Sequence, residues 1–251
     1  MDNSKFLKLF CKLKSLYSRA LVCIKEHRLP HKIASVALFI KDIGSIKYLL
    51  SFYRSLCFGY SPLDAKQPWI VFKATDWLGT YLKEEMSVFE YGSGGSTLFF
   101  SKRVRKVVSV EHNPDWHKRV SDVLISDGIL NCEYILCEPE KLNLDQHPLY
   151  SDTSYTSVAR EGLSFEKYVK IIEKYPDATF DLIFIDGRAR ASCISHAVKK
   201  VRRGGYLMLD NSDRVIYHSA ISLLSAYKRT DFLGVGPATT VLFQTSIWHI
   251  I

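Results

Sequence analysis

The segment Val88-Phe-Glu-Tyr-Gly-Ser-Gly-Gly-Ser-Thr97 is the first whose residue types suggest chemistry. An apolar run leads into Gly92, Gly94 and Gly95, and helix-forming sequence begins near Ser96. Glycines at such a turn let the backbone approach a ligand, and the free N–H groups of a helix start favour negative charge. The same residues also suit a plain strand-to-helix turn with Ser96 as N-cap. A second feature narrows the choice. The run KVVSVE, 106–111, ends in Glu111, nineteen residues after Gly92. An acid about 20 residues beyond the glycine turn, at the end of the second strand, can accept both hydroxyls of a ribose. Together the two features point to a nucleoside-bearing cofactor. Glu90, two residues before Gly92, suits a cationic ligand end better than a pyrophosphate. Thr97 also stands where the dinucleotide fingerprint has its third small residue.

Two further turns carry polar groups: Asp186-Gly187-Arg188-Ala189-Arg190 and Asp210-Asn211-Ser212-Asp213. Each follows an apolar run, and ligands in open α/β sheets sit outside the carboxyl ends of the strands. Arg188 and Arg190 suit an anionic substrate, or a solvated basic turn. Asp-Gly is also a common turn, and Asn211 or Ser212 could cap the following helix. His112, His117, His196 and His218 read as surface or helix residues.

These groups need a scaffold. From residue 84 onward, apolar runs at 87–91, 106–111, 132–137, 180–185 and 205–210 alternate with helical patterns at 97–103, 115–126, 164–175, 191–202 and 213–228. That alternation predicts a parallel sheet with helices on both faces. Runs at 230–235 and 239–248, separated only by Gly236-Pro237-Ala238, must form a hairpin, so the last strand is antiparallel to its neighbour. The fold class is α/β, a Rossmann-like doubly wound seven-strand sheet with a C-terminal antiparallel hairpin. Upstream, helical spacing covers 6–24, 33–57 and 65–83, with Trp69 in the last, where it packs or covers a ligand. The polar stretch 145–163, with His147, Tyr150 and Tyr155, is long enough to be a lid.

The chain has 251 residues, 47% hydrophobic and 24% charged, so it can bury a core without metals or disulfides. Its net charge of +8 is unevenly placed. Residues 1–60 hold 11 Lys/Arg against 3 Asp/Glu, and residues 61–251 hold 23 of each. This divides a basic helical extension, 1–60, from a neutral main domain, 61–251. A neutral domain argues against a nucleic-acid groove. The extension suits peripheral contact with an anionic membrane or an acidic protein, packing on its own domain, or homo-oligomer contact. Six cysteines without a C-x-x-C pair argue against structural zinc and for a reducing, cytoplasmic setting, with peripheral attachment at the inner membrane face as a variant. Lys5, Lys8, Lys12 and Lys14 interrupt any signal-peptide core, and the apolar run from Ile33 to Ile40 is too short to span a bilayer.

Glu90-x-Gly92-x-Gly94, Glu111, Asp186, Gly204-Gly205 and the terminal hairpin together resemble the class I S-adenosylmethionine-dependent methyltransferases, over about residues 65–251. The resemblance implies the strand order 3-2-1-4-5-7-6. It implies that Glu90 lies near the methionine ammonium, that Gly92 and Gly94 line methionine and ribose, and that Glu111 holds the ribose hydroxyls. Ser96 stands where the usual motif has glycine and would add a hydroxyl toward the methionine carboxylate, while Glu138 would face the adenine. The sequence lacks the Asn/Asp-Pro-Pro-aromatic motif typical of amino-methyltransferases. Asp186 with Asp210-Asn211 is similar to the cation-dependent O-methyltransferases, in which such residues hold a divalent ion such as Mg²⁺. The implied reaction moves a methyl group to a hydroxyl of a small-molecule or sugar-type acceptor. Without a metal, Asp186 or Asp210 would be the general base. Two other functions stay open: a non-catalytic S-adenosylmethionine-binding scaffold working through the basic helices, and an NAD-dependent oxidoreductase, disfavoured by Glu90 and the hairpin.

Overall fold

The computed structural model describes residues 38–57, 59–142, 154–158 and 162–251. The helix expected at 6–24, His147 and Tyr150 lie outside the described residues. Strands β1 (Ser87–Tyr91), β2 (Lys106–Glu111), β3 (Cys132–Leu136), β6 (Phe180–Ile185), β7 (Val201–Asp210), β8 (Lys228–Gly234) and β9 (Phe243–His249) form one sheet in the order β3-β2-β1-β6-β7-β9-β8. Strands β4 (Glu140–Lys141) and β5 (Leu163–Ser164) form a separate two-stranded pair. Counting the large sheet alone, this is the expected 3-2-1-4-5-7-6. The first five strands are parallel, and β9 runs antiparallel to both β7 and β8.

Period-two burial explains the layering. Phe89, Tyr91, Val108, Val110, Ile183, Ile185, Leu207, Leu209 and Trp248 face one core. Val88, Val107, Leu182, Phe184, Met208 and Ile247 face the other. Helices cover both faces, so the central strand β1 is buried at all five positions. The edge strand β8 is mostly exposed, and its Lys228, Arg229 and Asp231 discourage pairing with another chain.

Several boundaries differ from the sequence pattern. The helix expected at 65–83 is two pieces, Pro62–Ala65 and Phe72–Tyr81. Pro68 disfavours helical geometry at Gln67, and Lys66 caps the first piece in the left-handed region, φ 49°. The described part of 33–57 holds a 3₁₀ turn, Ile43–Tyr48, before the helix Leu49–Ser55. The helix expected at 213–228 shortens to His218–Ser222 after a 3₁₀ turn, because the chain must already be extended at Lys228 to pair with β9. Leu38, Phe39, Tyr48 and Phe52 pack inward against Phe72 and Val235, leaving Ile40, Ile43, Ile46 and Leu50 facing outward. Among the described residues no helix is long and apolar enough to cross a membrane.

Candidate functional site

The C-terminal ends of β1, β2 and β6 open onto a cavity of about 440 Å³. Its lining includes Gly92, Gly94, Ser96, Glu111, Asp186, Arg188 and Arg190 from the sequence expectation. Ser93, His112, Asn113, Trp116, Pro62 and Trp69 complete most of the rest. The volume falls in the range of small-molecule sites, roughly 300–1,000 Å³.

Close backbone approach shapes the floor. Gly92 has φ 89°, and a Cβ there would lie 2.6 Å from the Cα of Gly187. The ends of β1 and β6 therefore meet at two glycines. Gly94 differs: a Cβ would meet nothing closer than Trp116, at 3.6 Å, so its open side faces the cavity. Trp116 is fixed there by its Nε1, which donates to the Ser93 carbonyl at 2.9 Å. It sits in the first turn of the helix Pro114–Ser126, whose N-cap Asn113 accepts from the Trp116 amide at 2.9 Å. Asn113-Pro114 is a helix-start signal legible in the sequence, and it would have brought Trp116 forward.

Glu111 is one step beyond the last β1–β2 pair, Tyr91 with Val110, so it reaches the cavity. Its Oε1 accepts from the His112 and Asn113 amides at 2.7 and 2.8 Å. Its Oε2 accepts from the Ser93 amide and hydroxyl at 3.2 and 3.0 Å. Burial would raise this carboxyl, but the His112 side chain and the two amides outweigh it and hold Glu111 below the usual carboxylate range. The four donors nearly saturate the carboxylate. A diol arriving here must displace the longer Ser93 pair, and the Ser93 hydroxyl already has another partner in Tyr134 Oη, 2.6 Å away.

Two residues expected to contact the cofactor lie off the cavity lining. Glu90 does not line the cavity. It pairs with Ser109 on one side and Phe184 on the other, fully buried within the sheet. The hydroxyls of Thr97 and Ser109 both donate to its Oε2 at 2.6 Å, while Oε1 has no protein hydrogen-bond partner. Burial pushes its pKa from 4.5 up to about 7. Thr97 also accepts from the Gly94 amide at 3.0 Å, so Glu90 braces the glycine turn from behind. Glu138 is exposed beyond β3 and is not among the lining residues.

The acceptor-side set is also rearranged. Asp186, one step past β6, faces the cavity, whereas Asp210 ends β7 and is 3% exposed beneath it. Asp210 pairs with Thr245 of β9, whose hydroxyl donates to Oδ1 at 2.7 Å. Between the two acids lies the Arg190 guanidinium, with NH2 at 2.7 Å from Asp186 Oδ1 and NH1 at 3.5 Å from Asp210 Oδ2. Burial raises both acids; Asp186 raises Asp210 further, and Arg190 opposes the rise in each. Arg190, expected as a substrate clamp, lines the cavity with its guanidinium turned onto the two acids. Arg188 lines the cavity, its Nε 3.4 Å from His112 Nε2. Asp186, Asp210 and Asn211 do converge, but on a guanidinium. Among the described residues no group of three or more His, Cys, Asp or Glu is arranged to hold a metal.

No protein-family model matches the sequence, and no curated protein matches it. Solved structures do. A candidate O-methyltransferase from Klebsiella pneumoniae is similar with a TM-score of 0.53 and 15% identity, over 82% of this chain and 96% of that one. An rRNA methylase from Streptococcus thermophilus is similar with a TM-score of 0.50 and 14% identity, over 78% of this chain and all of that one. The chain has the class I methyltransferase fold. At such identities the likeness concerns the fold, and the chemistry must be argued from the cavity.

Proposed function

We propose that this protein is an S-adenosylmethionine-dependent methyltransferase acting on an oxygen of a small-molecule or sugar-type acceptor. The observation that carries the reading is the cavity where Gly92, Gly94 and Ser96 meet Glu111 and Trp116 at the ends of β1 and β2. The residues fit the group. Glu111 is the ribose acceptor, with Oε2 the oxygen available to it. The open side of Gly94 leaves room for the methionyl and ribose portion, and Trp116 supplies an apolar wall. When bound, S-adenosylmethionine supplies a methyl group on a sulfonium, already activated for transfer.

The chain's own work is then alignment and proton handling. Holding two reactants in line accounts for much of the acceleration in such a transfer. Asp186 is the carboxylate that faces the cavity at the acceptor end and can take a hydroxyl proton. Asp210, expected as an equal candidate, supports it from behind. Arg188 supplies a positive charge at the rim for an anionic acceptor. No step here is assigned to a divalent cation, because the residues expected to bind one enclose Arg190.

Calorimetry with S-adenosylhomocysteine and, separately, with NAD tests the reading. Binding of the first and not the second is the expected result. Binding of NAD alone would replace the reading by the oxidoreductase. Binding of S-adenosylhomocysteine without turnover of hydroxylated acceptors would favour the scaffold.

A further inference from the structure

Arg190 opens the helix Arg190–Ala197, four residues after Asp186. Its side chain is 11% exposed, and its donors can be followed one by one. Nε donates to the Gly187 carbonyl at 3.1 Å. NH1 donates to the Asp210 carbonyl at 2.6 Å and lies 3.5 Å from both Asn211 Oδ1 and Asp210 Oδ2. NH2 donates to the Asp186 carbonyl at 3.0 Å and contacts Asp186 Oδ1 at 2.7 Å. A guanidinium has five N–H donors in a rigid fork. Four hydrogen bonds and the contact with Asp186 Oδ1 turn the guanidinium onto oxygens at the ends of β6 and β7.

We infer that Arg190 is the built-in cation of the acceptor end: it fills the position a divalent ion would need among Asp186, Asp210 and Asn211, and it aims Asp186 into the cavity without a metal. Of the side-chain oxygens a hard cation would use, the guanidinium holds Asp186 Oδ1 at 2.7 Å and stands 3.5 Å from Asp210 Oδ2 and Asn211 Oδ1. A metal bound to them would sit against a fixed positive charge, with part of its ligand field already taken. Arg190 and Asp210 are positioning residues, and Asp186 is the group that meets the acceptor. That last assignment rests on the methyltransferase reading, whereas the occupancy of the cation position does not. Lysine would keep the charge but not the aim on Asp186, because an ammonium has three donors at one point and cannot span two turns.

The test uses Mn²⁺ as the probe on the purified full-length protein, by calorimetry and by electron paramagnetic resonance. The native protein should bind no Mn²⁺ in this site, and its affinity for S-adenosylhomocysteine should be the same in EDTA and in Mg²⁺. Arg190→Gln leaves the two carboxylates without their cation and should gain Mn²⁺ affinity by about tenfold or more, the size of one removed like-charge contact. Adding Asp186→Asn to that variant should abolish the gain, which a merely structural role for Arg190 would not produce. Arg190→Lys keeps the charge and should gain nothing, and it is read together with the native protein if Arg190→Gln does not fold. Stoichiometric Mn²⁺ binding by the native protein that is lost in Asp186→Asn overturns the inference. So does a folded Arg190→Gln variant with no gain. Failure of S-adenosylhomocysteine to bind the native protein, with these Mn²⁺ results as expected, removes the cofactor reading and leaves Arg190 as the cation of this site.

Discussion

Replacing Glu90 by Gln should remove a pH-dependent penalty from the folded protein. The carboxyl is fully buried, and two hydroxyls on Oε2 only partly replace the water it loses. Desolvation is the largest influence, and the nearby Glu111 carboxylate adds to it, so the pKa rises from 4.5 to about 7. A carboxyl with a raised folded pKa binds its proton more tightly when folded. Its stability contribution is therefore full below about pH 4.5, falls as pH rises, and is lost once pH passes about 7. A shift of this size corresponds to about 3 kcal/mol in total, of which about 2.5 kcal/mol is lost between pH 5 and pH 8. Against a typical stability of about 5–15 kcal/mol this is readily measured. The assay is urea unfolding of the native protein and Glu90→Gln at several pH values from 5 to 8. The offset at any one pH mixes in the hydrogen bonds of the new amide, so the informative quantity is the difference between the two curves. Glu90→Gln should gain about 2.5 kcal/mol relative to the native protein across that range. Parallel curves would refute the argument and would mean that Glu90 stays ionised in the fold.

Three further outcomes follow from the cavity and the surface. Glu111→Ala should weaken S-adenosylhomocysteine binding by about 2–3 kcal/mol, roughly 30- to 150-fold, whereas Ser93→Ala should leave it unchanged or tighten it, since Ser93 competes for Oε2; calorimetry of both variants checks this, and weaker binding in Ser93→Ala would reverse the competition argument. Gly187→Ala should destabilise by about 1–3 kcal/mol in urea unfolding, because the new Cβ would lie 2.0 Å from the buried Tyr168 hydroxyl and 2.9 Å from the Gly92 amide. Ile40, Ile43, Ile46 and Leu50 are 59–72% exposed in the part of the chain that carries the whole basic excess, so the protein should float with vesicles containing anionic lipid and not with neutral ones. Flotation with neither vesicle, or an unchanged result after Ile43→Asp and Ile46→Asp, would discard the membrane as its partner.

Which expected residues reach the cavity is decided by the sheet register, and that explains what the sequence could show. The alternation of apolar runs and helical patterns, with the closing hairpin, points to a parallel sheet ending in an antiparallel strand, because the inner strands announce themselves by burial on both faces; the strand order comes from the resemblance. A residue's distance from the end of its strand is harder to read. Asp186 and Glu111 each stand one step past the last residue paired with β1, so both are free to face the cavity. Glu90 is paired on both sides, and a central strand buried at every position gives it no open face. Asp210 would lie level with Asp186, but β9 continues beside it and Thr245 closes over its carboxylate. The two arginines of the Asp186–Arg190 turn are indistinguishable by composition. Only the four-residue spacing from Asp186, carried into the first turn of a helix, turns Arg190 back onto the acid and leaves Arg188 at the rim. That spacing was present in the sequence. Its consequence was hidden because the second acid it engages, Asp210, arrives from a strand twenty residues later. The placement of Arg190 between the two acids is therefore set by a contact between two turns, which no local pattern in either turn encodes.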